Sequence, residues 1–485
     1  MTSSAPAPAP AAALPGADDR RTVVVLLVLA SYLMIVLDTS IIITGLPRIR
    51  DSLGFSPATL SWVHTAYTLS FGGLLMAGAR AGDLFGRKRL FVLGLALFVA
   101  ASLAIGLAPT PAFLVGARAV QGLGSAILAP STLALLSVNF AEGAERSRAL
   151  GWYGATAGVG ASIGMVLGGV LADLLSWRVG FFINVPIGLG LIWGALRYVQ
   201  EAPRQPGRLD VPGALLSTLG MVALVYGLVE AAETGWHSLH SGLPLLSGVL
   251  LLALFFVHEA RTAQPLLPLR LLANRARSGA YLARLLFLAG VIGFWFYLTQ
   301  YLQGVLGMRP LQAGLAFLPA TLVQLLAAMS GPRLAHRFGN DRVLAAGVAL
   351  TAAGMTWLAQ IGAHSSYVLG VALPMLLLGI GQGLALSPLT IAGVAGVPAA
   401  DAGAASGLVN TAHQLGGSVG LALLVVVFSA AGGYSAEPPA ELAHRVAASL
   451  GAGAALLWAA LLVVLTCVCQ WRTRPGAVEP ALLSR

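Results

Sequence analysis

One acidic and one basic residue lie deep within two long apolar stretches of this sequence. Asp38 is about eight residues from the far end of the stretch 23–46, and Arg118 is about six residues into the stretch 112–138. At 1.5 Å per helical residue, the two lie roughly 12 Å and roughly 9 Å below the same edge of an apolar layer. Ionisable residues at such depths are functional by default. Burial favours the neutral form of a carboxyl group and a nearby guanidinium favours its charged form. We therefore predict proton exchange at this pair; the alternative is a static ion pair that orders the helices.

Polar and aromatic side chains within the apolar stretches are candidates for contact with a small bound molecule. Aromatic faces suit amphiphilic and cationic compounds, although helix packing is an equally good interpretation of any single aromatic residue. Arg284 lies near the end of its stretch, and we expect its side chain to extend to the surface. The candidate binding residues are Trp62, Tyr67, Gln121, Phe294, Tyr297, Gln300, Asn410 and Gln414.

Two further patterns indicate conformational roles. Small residues at intervals of four form a smooth stripe on which another helix can slide or bend, and here they are Gly160, Gly164 and Gly168, followed by Gly169. In the loop 82–89, Asp83 and Arg87 flank Gly86, which permits a tight turn. We expect this loop to act as a latch between conformations, the alternative being residues that only set the orientation of the chain in a membrane.

The composition shows which elements must position these residues. Of 485 residues, 57% are hydrophobic and only 9% are charged, against about 25% charged in soluble domains. This excludes an ordinary soluble enzyme and predicts an all-α integral membrane protein with fourteen transmembrane helices. The predicted stretches are 23–46, 59–79, 90–107, 112–138, 149–174, 179–196, 211–231, 241–260, 278–303, 311–331, 343–361, 366–393, 402–430 and 446–470.

The basic residues predict the orientation of the chain. If the N-terminus is cytoplasmic, 21 of the 28 Lys and Arg residues lie in cytoplasmic loops and tails, and five lie in outer loops. This asymmetry follows the positive-inside rule and predicts that both termini are cytoplasmic. The Ala/Pro-rich segment 1–22 is predicted to be a disordered cytoplasmic tail, as its small residues precede the first apolar stretch, unlike a signal peptide. The segment 471–485 is predicted to be the C-terminal cytoplasmic tail.

An internal repeat predicts two parallel halves. The segment 78–89 aligns with 331–342 and matches Gly86 to Gly339, although the second copy has His336 in place of Asp83. Each copy follows the second stretch of a set of six. The predicted organisation is an N-terminal six-helix bundle, a two-helix central insertion with its flanking loops, and a C-terminal six-helix bundle, at 23–196, 197–277 and 278–470. Parallel halves of this kind build midplane sites in secondary transporters.

Several other classes of function are disfavoured. The net charge of +10 comes from residues scattered over short loops, so nucleic-acid binding is not expected. Cys467 and Cys469 lack His or acidic neighbours at ligand spacing, so we predict no metal site and no cofactor. A membrane enzyme or receptor is disfavoured because the sequence contains no catalytic cluster and no appended soluble domain.

Five segments in order resemble signatures of the major facilitator superfamily, and in particular of its fourteen-span drug/proton antiporters. They are LDTSIIITGLP (37–47), GDLFGRK (82–88), RAVQGLGSA (118–126), WRVGFFINVPIG (177–188) and YLQGVLGMRPLQAGLAFLP (301–319). The resemblance implies proton-coupled export of small amphiphilic compounds such as antibiotics, with Asp38 and Arg118 taking part in coupling. It implies a plasma-membrane protein, and we expect a monomer. The alternative is a proton-coupled uptake symporter of a small metabolite. Because the helix cores of the C-terminal half contain no acidic residue, we expect neutral, zwitterionic or monocationic substrates.

Overall fold

The structure is a computed structural model that describes residues 17–139, 144–201, 204, 207–398, 401–433 and 438–469. Within these ranges the chain is helical and contains no β-strand. The predicted C-terminal tail and most of the predicted N-terminal tail lie outside the described residues. The first helix begins at Ala17, so residues 17–22 belong to a helix rather than to the predicted disordered tail.

The described part of the N-terminal half contains seven α-helices, because the sixth predicted stretch divides into a short and a long helix. Their bounds are α1 Ala17–Leu53, α2 Trp62–Phe85, α3 Arg87–Gly106, α4 Pro111–Asn139, α5 Ala144–Leu174, α6 Val179–Phe182 and α7 Asn184–Tyr198. Helix α4 packs against α2 and α3, whereas α1 packs against α5 and α7. The buried apolar side chains of α1, α2, α3, α4 and α7 form the core of this half.

Two central helices, α8 Val211–Thr234 and α9 Leu239–Arg261, form a hairpin. The C-terminal half follows with α10 Arg275–Gly304, α11 Pro310–Ala316, α12 Leu318–Phe338, α13 Asn340–Leu358, α14 Leu373–Val394, α15 Ala402–Ala430 and α16 Pro438–Val463. A π-helical turn, Tyr367–Ala372, precedes α14, and another, Val464–Val468, follows α16. The two halves meet where α2 packs on α15 and where α5 packs on α11 and α12.

Eleven helical segments of the described chain are long and apolar enough to cross a membrane. The described apolar part of α5, Val159–Leu174, is shorter. Helices α2 and α13 lie at two of the remaining predicted stretches but do not meet the same criterion of length and hydropathy. In α2 the reason is its polar content, which includes His64, Arg80 and Asp83. The predicted total of fourteen spans therefore remains a prediction.

The repeat is visible in the backbone of two turns. Gly86 has φ 110° and ψ 130°, and Gly339 has φ 89° and ψ 147°. Each glycine ends one helix and directly precedes the next. Both φ values lie in the region that favours glycine, which explains why the two copies share this residue. We call the end of the molecule with these two turns the basic end.

Candidate functional site

The carboxylate of Asp38 lies at the centre of a buried polar network. Arg118 Nη1 donates to Oδ2 of Asp38 at 2.7 Å. The other carboxylate oxygen, Oδ1, accepts hydrogen bonds from Gln121 Nε2 at 2.8 Å and from Asn184 Nδ2 at 2.9 Å. The side chains of Asp38 and Arg118 are both fully buried. Three donors on one carboxylate stabilise its charged form, so the network compensates the desolvation of the ion pair.

The guanidinium of Arg118 is held from three sides. Its Nε donates to the carbonyl oxygen of Val63 at 2.8 Å, and Nη1 also donates to Gln121 Oε1. The Cζ atom lies 4.3 Å from the centroid of the Tyr67 ring, a cation–π contact. Tyr67 is itself fixed by a 2.9 Å hydrogen bond from its hydroxyl to Ser125 Oγ. Nη2 of Arg118 is buried without a hydrogen-bond partner among the described residues.

Five helices of the N-terminal half supply this network. Asp38 lies on α1, Arg118 and Gln121 on α4, and the carbonyl of Val63 and the ring of Tyr67 on α2. Helix α3 contributes Ser102, whose Oγ accepts from Gln121 Nε2 at 2.9 Å. Helix α7 contributes Asn184, which is its first residue and follows the end of α6 closely. Ser102 and Asn184 were not predicted from the sequence, because an uncharged polar residue within an apolar helix does not by itself indicate a functional site.

The loop motif is organised by an acid that the sequence analysis did not single out. Arg87 pairs with Asp83 four residues earlier at 2.9 Å. Glu201, which follows α7, accepts from the backbone N–H groups of Lys88 at 3.0 Å and Arg89 at 3.3 Å. Its carboxylate therefore caps the N-terminus of α3, where anions are favourable. A Cβ at Gly86 would lie 2.7 Å from the Glu201 carboxyl carbon, so a larger residue would displace this cap, and the φ of Gly86 itself favours glycine.

The glycine stripe lets α5 approach α1 closely. A Cβ on Gly164 would lie 2.6 Å from Ser40 Cβ, and one on Gly168 would lie 2.7 Å from Ile41 Cα. Gly160 faces Leu33 and Val36 in the same way. The residues of α1 in contact with the stripe thus include Ser40, two positions from Asp38. The glycine stripe therefore packs against the segment of α1 that carries Asp38.

Contacts at the end opposite the basic end tie the two halves together. Arg309 of the C-terminal half pairs with Asp173 of α5, with Nη2 and Oδ2 separated by 3.2 Å. Gln303 Nε2 donates to the carbonyl oxygen of Thr44 at 3.0 Å. A Cβ on Gly169 would meet the carbonyl oxygen of Pro310 at 2.7 Å, so α5 and α11 are in close contact. The described arrangement is consequently closed between the halves at this end.

The predicted binding residues lie in several different parts of the structure. Gln121 and Tyr67 belong to the Asp38 network. Trp62 lies against Tyr226 of α8, with ring centroids 6.1 Å apart. Gln414 of α15 packs on α2, where a Cβ on Gly72 would lie 2.6 Å from Gln414 Cβ.

The remaining predicted binding residues lie in the C-terminal half. Phe294 and Tyr297 are fully buried, the first edge-on to Phe317 and the second stacked on Phe428 at 5.0 Å. Gln300 is also buried, and its Nε2 donates to the carbonyl oxygen of Phe296 at 3.4 Å. Asn410 is exposed within α15, and Nδ2 donates to the carbonyl oxygen of Ser406. The structure does not bring these residues into one cluster.

The expectation that Arg284 extends to the surface is wrong. Only 7% of this residue is exposed, and its guanidinium bonds to groups of α14 and α15. Nη1 donates to the carbonyl oxygen of Leu386 and to Thr390 Oγ1, both at 2.9 Å, and Nη2 lies 3.1 Å from His413 Nδ1. The side chain instead finds its hydrogen-bond partners inside the bundle.

Residues 28–421 match the family model described as Major Facilitator Superfamily. The chain belongs to this superfamily. It is therefore a multi-pass membrane transport protein and not an enzyme, as the sequence predicted.

Among its relatives, the chain is 41% identical to the cephamycin export protein CmcT of Amycolatopsis lactamdurans over 470 residues, which cover 96% of each chain. It is 39% identical to the puromycin resistance protein pur8 of Streptomyces alboniger, with coverage of 98% of this chain and 95% of the relative. Among solved structures, the peptide transporter POT in complex with sulfate superposes with a TM-score of 0.66 at 16% identity, covering 92% of this chain and 94% of POT. This last likeness is one of fold alone.

Proposed function

We propose that this transporter is a proton-driven exporter of small amphiphilic compounds, antibiotics among them, and works by alternating access across fourteen spans. The observation that carries the proposal is the fully buried pair of Asp38 and Arg118, joined at 2.7 Å. A buried acid within a membrane bundle is unfavourable unless it has a function, and a carboxylate can bind and release a proton. The compounds named for the two relatives, cephamycin and puromycin, support the substrate class.

The hydrogen bonds around Asp38 suggest how a proton changes the conformation. When the carboxylate is charged, its three donors hold α1 to α4 and α7. Protonation removes the charge and weakens the bonds from all three donors. Helix α1 can then move relative to α4, and the glycine stripe of α5 gives it a smooth surface for that movement. The proton thus selects between two arrangements of the N-terminal half.

We place the basic end at the cytoplasm and both termini on that side of the plasma membrane, following the asymmetry of Lys and Arg residues in the loops. The opposite end then faces the exterior, where Asp173, Arg309 and the contact of α5 with α11 close the space between the halves. We propose that this arrangement receives substrate from the cytoplasm. We further propose that one polypeptide chain performs transport as a monomer.

The loop and the candidate binding residues have separate roles in this proposal. Asp83, Gly86 and Arg87 form a cytoplasmic latch, which Glu201 anchors by capping α3. Tyr67 and Gln121 connect bound substrate to the Asp38 network, because both contact Arg118. Trp62, Phe294, Tyr297, Gln300, Asn410 and Gln414 are proposed to shape the substrate cavity during the conformational cycle.

The direction of coupled movement tests the proposal. Inside-out membrane vesicles with an acidic lumen are supplied with puromycin or a cephamycin on the outside, which corresponds to the cytoplasmic side. We expect the drug to accumulate in the lumen and the luminal pH to rise when it is added. The Asp51→Asn variant controls for the loss of one carboxylate from the chain, and it should transport like the wild-type protein. The Asp51 side chain is 62% exposed and pairs only with its neighbour Arg50 in the described structure. Movement of the drug out of the vesicle lumen together with protons would instead identify an uptake symporter.

A further inference from the structure

The guanidinium of Arg284 is a buried cation that is held only by neutral groups. Its partners are a backbone carbonyl, the hydroxyl of Thr390 and the imidazole of His413. Its Nε atom is buried and has no hydrogen-bond partner among the described residues. No carboxylate of the described ranges forms an ion pair with Arg284, in contrast to Arg118, whose charge is balanced by Asp38. An unbalanced charge at this depth is unfavourable unless an anion from outside the chain compensates it.

The free edge of this guanidinium has the geometry that binds a carboxylate. At the surface, Arg270 holds Asp401 through the same two atoms, with Nε to Oδ2 at 3.0 Å and Nη2 to Oδ1 at 2.6 Å. In Arg284, Nε is unpartnered and Nη2 contacts only the ring nitrogen of His413. A rotation of the His413 side chain would leave both donors of that edge without a protein partner. Two parallel N–H donors on one side of a guanidinium are the usual fork for a carboxylate.

The position of His413 on α15 shows which space this edge faces. Leu415, Val419 and Ala422 lie on the side of α15 that packs against α8, where the apolar side chains include Val225, Leu228 and Val229. His413, Asn410 and Gly417 lie on the opposite side of the helix, by the period of 3.6 residues. A Cβ on Gly417 would meet no atom within 4 Å, and Asn410 is exposed. This side of α15 therefore borders open space.

A residue of the other half borders the same region. Tyr32 of α1 is close enough to Arg284 to interact with it electrostatically, and α1 packs against α10. Tyr32 precedes Asp38 by six residues on the same helix, which corresponds to roughly 9 Å along the axis towards the cytoplasmic end. The Arg284 region thus lies between the halves, on the cytoplasmic side of the proton site.

We propose that Arg284, together with His413, Thr390 and Asn410, forms a subsite for the carboxylate of an amphiphilic substrate that enters from the cytoplasm. The inference rests on the proposed function and names the substrate class more narrowly. Zwitterionic and carboxylate-bearing compounds are preferred over monocations, because an unbalanced guanidinium repels a cation and attracts an anion. This changes the expectation from sequence, which treated neutral, zwitterionic and monocationic compounds alike and did not include anionic carboxylates.

The test uses two dyes that differ in a single ester group. Rhodamine B carries a free carboxylate, whereas its ethyl ester is a monocation of nearly the same shape. Binding of each dye to the purified full-length protein is measured by fluorescence anisotropy, which needs neither a membrane nor a proton gradient. We expect the wild-type protein to bind the acid more tightly than the ester. The Arg284→Gln variant should lose about tenfold to a hundredfold in affinity for the acid, because it removes charge-assisted hydrogen bonds to the carboxylate, and should bind the ester unchanged.

Two further variants separate a binding role from a structural one. Arg284→Lys keeps the charge without the planar fork, so a weaker preference for the acid should remain. Arg275→Gln removes an exposed arginine from the first turn of the same helix and should alter neither affinity. Equal affinity of the wild-type protein for both dyes, or a parallel loss of both in Arg284→Gln, would overturn the subsite. Acid-selective binding without transport driven by a pH gradient would instead leave the subsite intact and overturn the proposed export function.

Discussion

Arg118 Nη1 lies 2.7 Å from Oδ2 of Asp38, and neither side chain is exposed. Each residue is also held by neutral groups: the carboxylate by Gln121 and Asn184, the guanidinium by the carbonyl of Val63. We therefore expect that loss of either partner destabilises the fold, and we propose the pair as the site of the coupling proton. Stability and transport measurements can separate these two contributions.

A double-mutant cycle measures the contribution to stability. Arg118→Ala leaves Asp38 without its cation, and breaking a buried pair from one side costs about 3–5 kcal/mol. The double variant Asp38→Asn/Arg118→Ala removes both charges, so its loss of stability should be smaller than the sum of the two single losses. Thermal unfolding in detergent provides the measurement. Additive losses would show that the two charges do not interact in the folded protein.

The glycine stripe predicts opposite effects for two glycine-to-alanine substitutions. Gly168→Ala places a Cβ 2.7 Å from the backbone Cα of Ile41, so α5 must move away from α1 and the protein should lose about 1–3 kcal/mol. Gly190→Ala on α7 meets no atom within 4 Å and should stabilise its helix by about 0.5–1 kcal/mol. Melting temperatures of the two variants test the comparison directly. Equal effects would mean that close packing of α5 on α1 is not what requires glycine at position 168.

The contact between Arg309 and Asp173 predicts a conformational effect. Asp173→Asn removes the ion pair that joins the halves at the proposed external end, and the population should shift towards the outward-open arrangement. Spin labels on the external ends of α5 and α11 would report this as a longer distance. Exchanging the two charges, Asp173→Arg with Arg309→Asp, should restore the shorter distance. A distance that is the same in all these variants would assign no gating role to the pair.

The pair formed by Arg270 and Asp401 predicts a dependence on pH outside the membrane spans. The hydrogen bond from Arg270 and its positive charge outweigh desolvation and hold the pKa of Asp401 below its usual range. A lowered pKa in the folded state means that the contact is present at neutral pH and is lost as the pH falls through that pKa. The protection factor of the amides in Leu269–Leu272, which is the intrinsic exchange rate at each pH divided by the observed rate, should therefore fall at acidic pH. The Asp401→Asn variant should show a low protection factor at every pH, and an acid-dependent protection factor in that variant would point to another group.

The sequence predicted the parts of the site that contain a charged residue within an apolar helix or a residue type repeated at a regular interval. Asp38 and Arg118 were recognisable because charges are rare within apolar helices, and the stripe from Gly160 to Gly168 repeats every four residues. Asn184 could not be found in this way, because its role depends on where α7 crosses α1. The helical architecture followed from hydropathy, including the stretch 59–79 that forms α2, although the polar content of α2 keeps it below the criterion that eleven described segments meet.

The pairing of loop charges and the partner of Arg284 depended on tertiary structure. Glu201 is far from Lys88 in sequence, and only the return of α7 beside α3 makes it a helix cap. Arg284 was expected to extend to the surface because of its depth in the helix. It bonds instead to the carbonyl of Leu386 on α14. Neighbouring helices determine these hydrogen-bond partners, and the position of those helices cannot be read from one segment of sequence.

The most direct test of the central claim is transport by the Asp38→Asn variant in proteoliposomes, with Asp51→Asn as control. The asparagine keeps the shape of the side chain and can still accept from Arg118, but it cannot bind and release a proton. We predict that this variant exchanges labelled for unlabelled puromycin across the membrane and fails to accumulate the drug when a pH gradient is imposed. Accumulation equal to that of the wild-type protein would contradict the assignment of Asp38 as the proton-coupling residue.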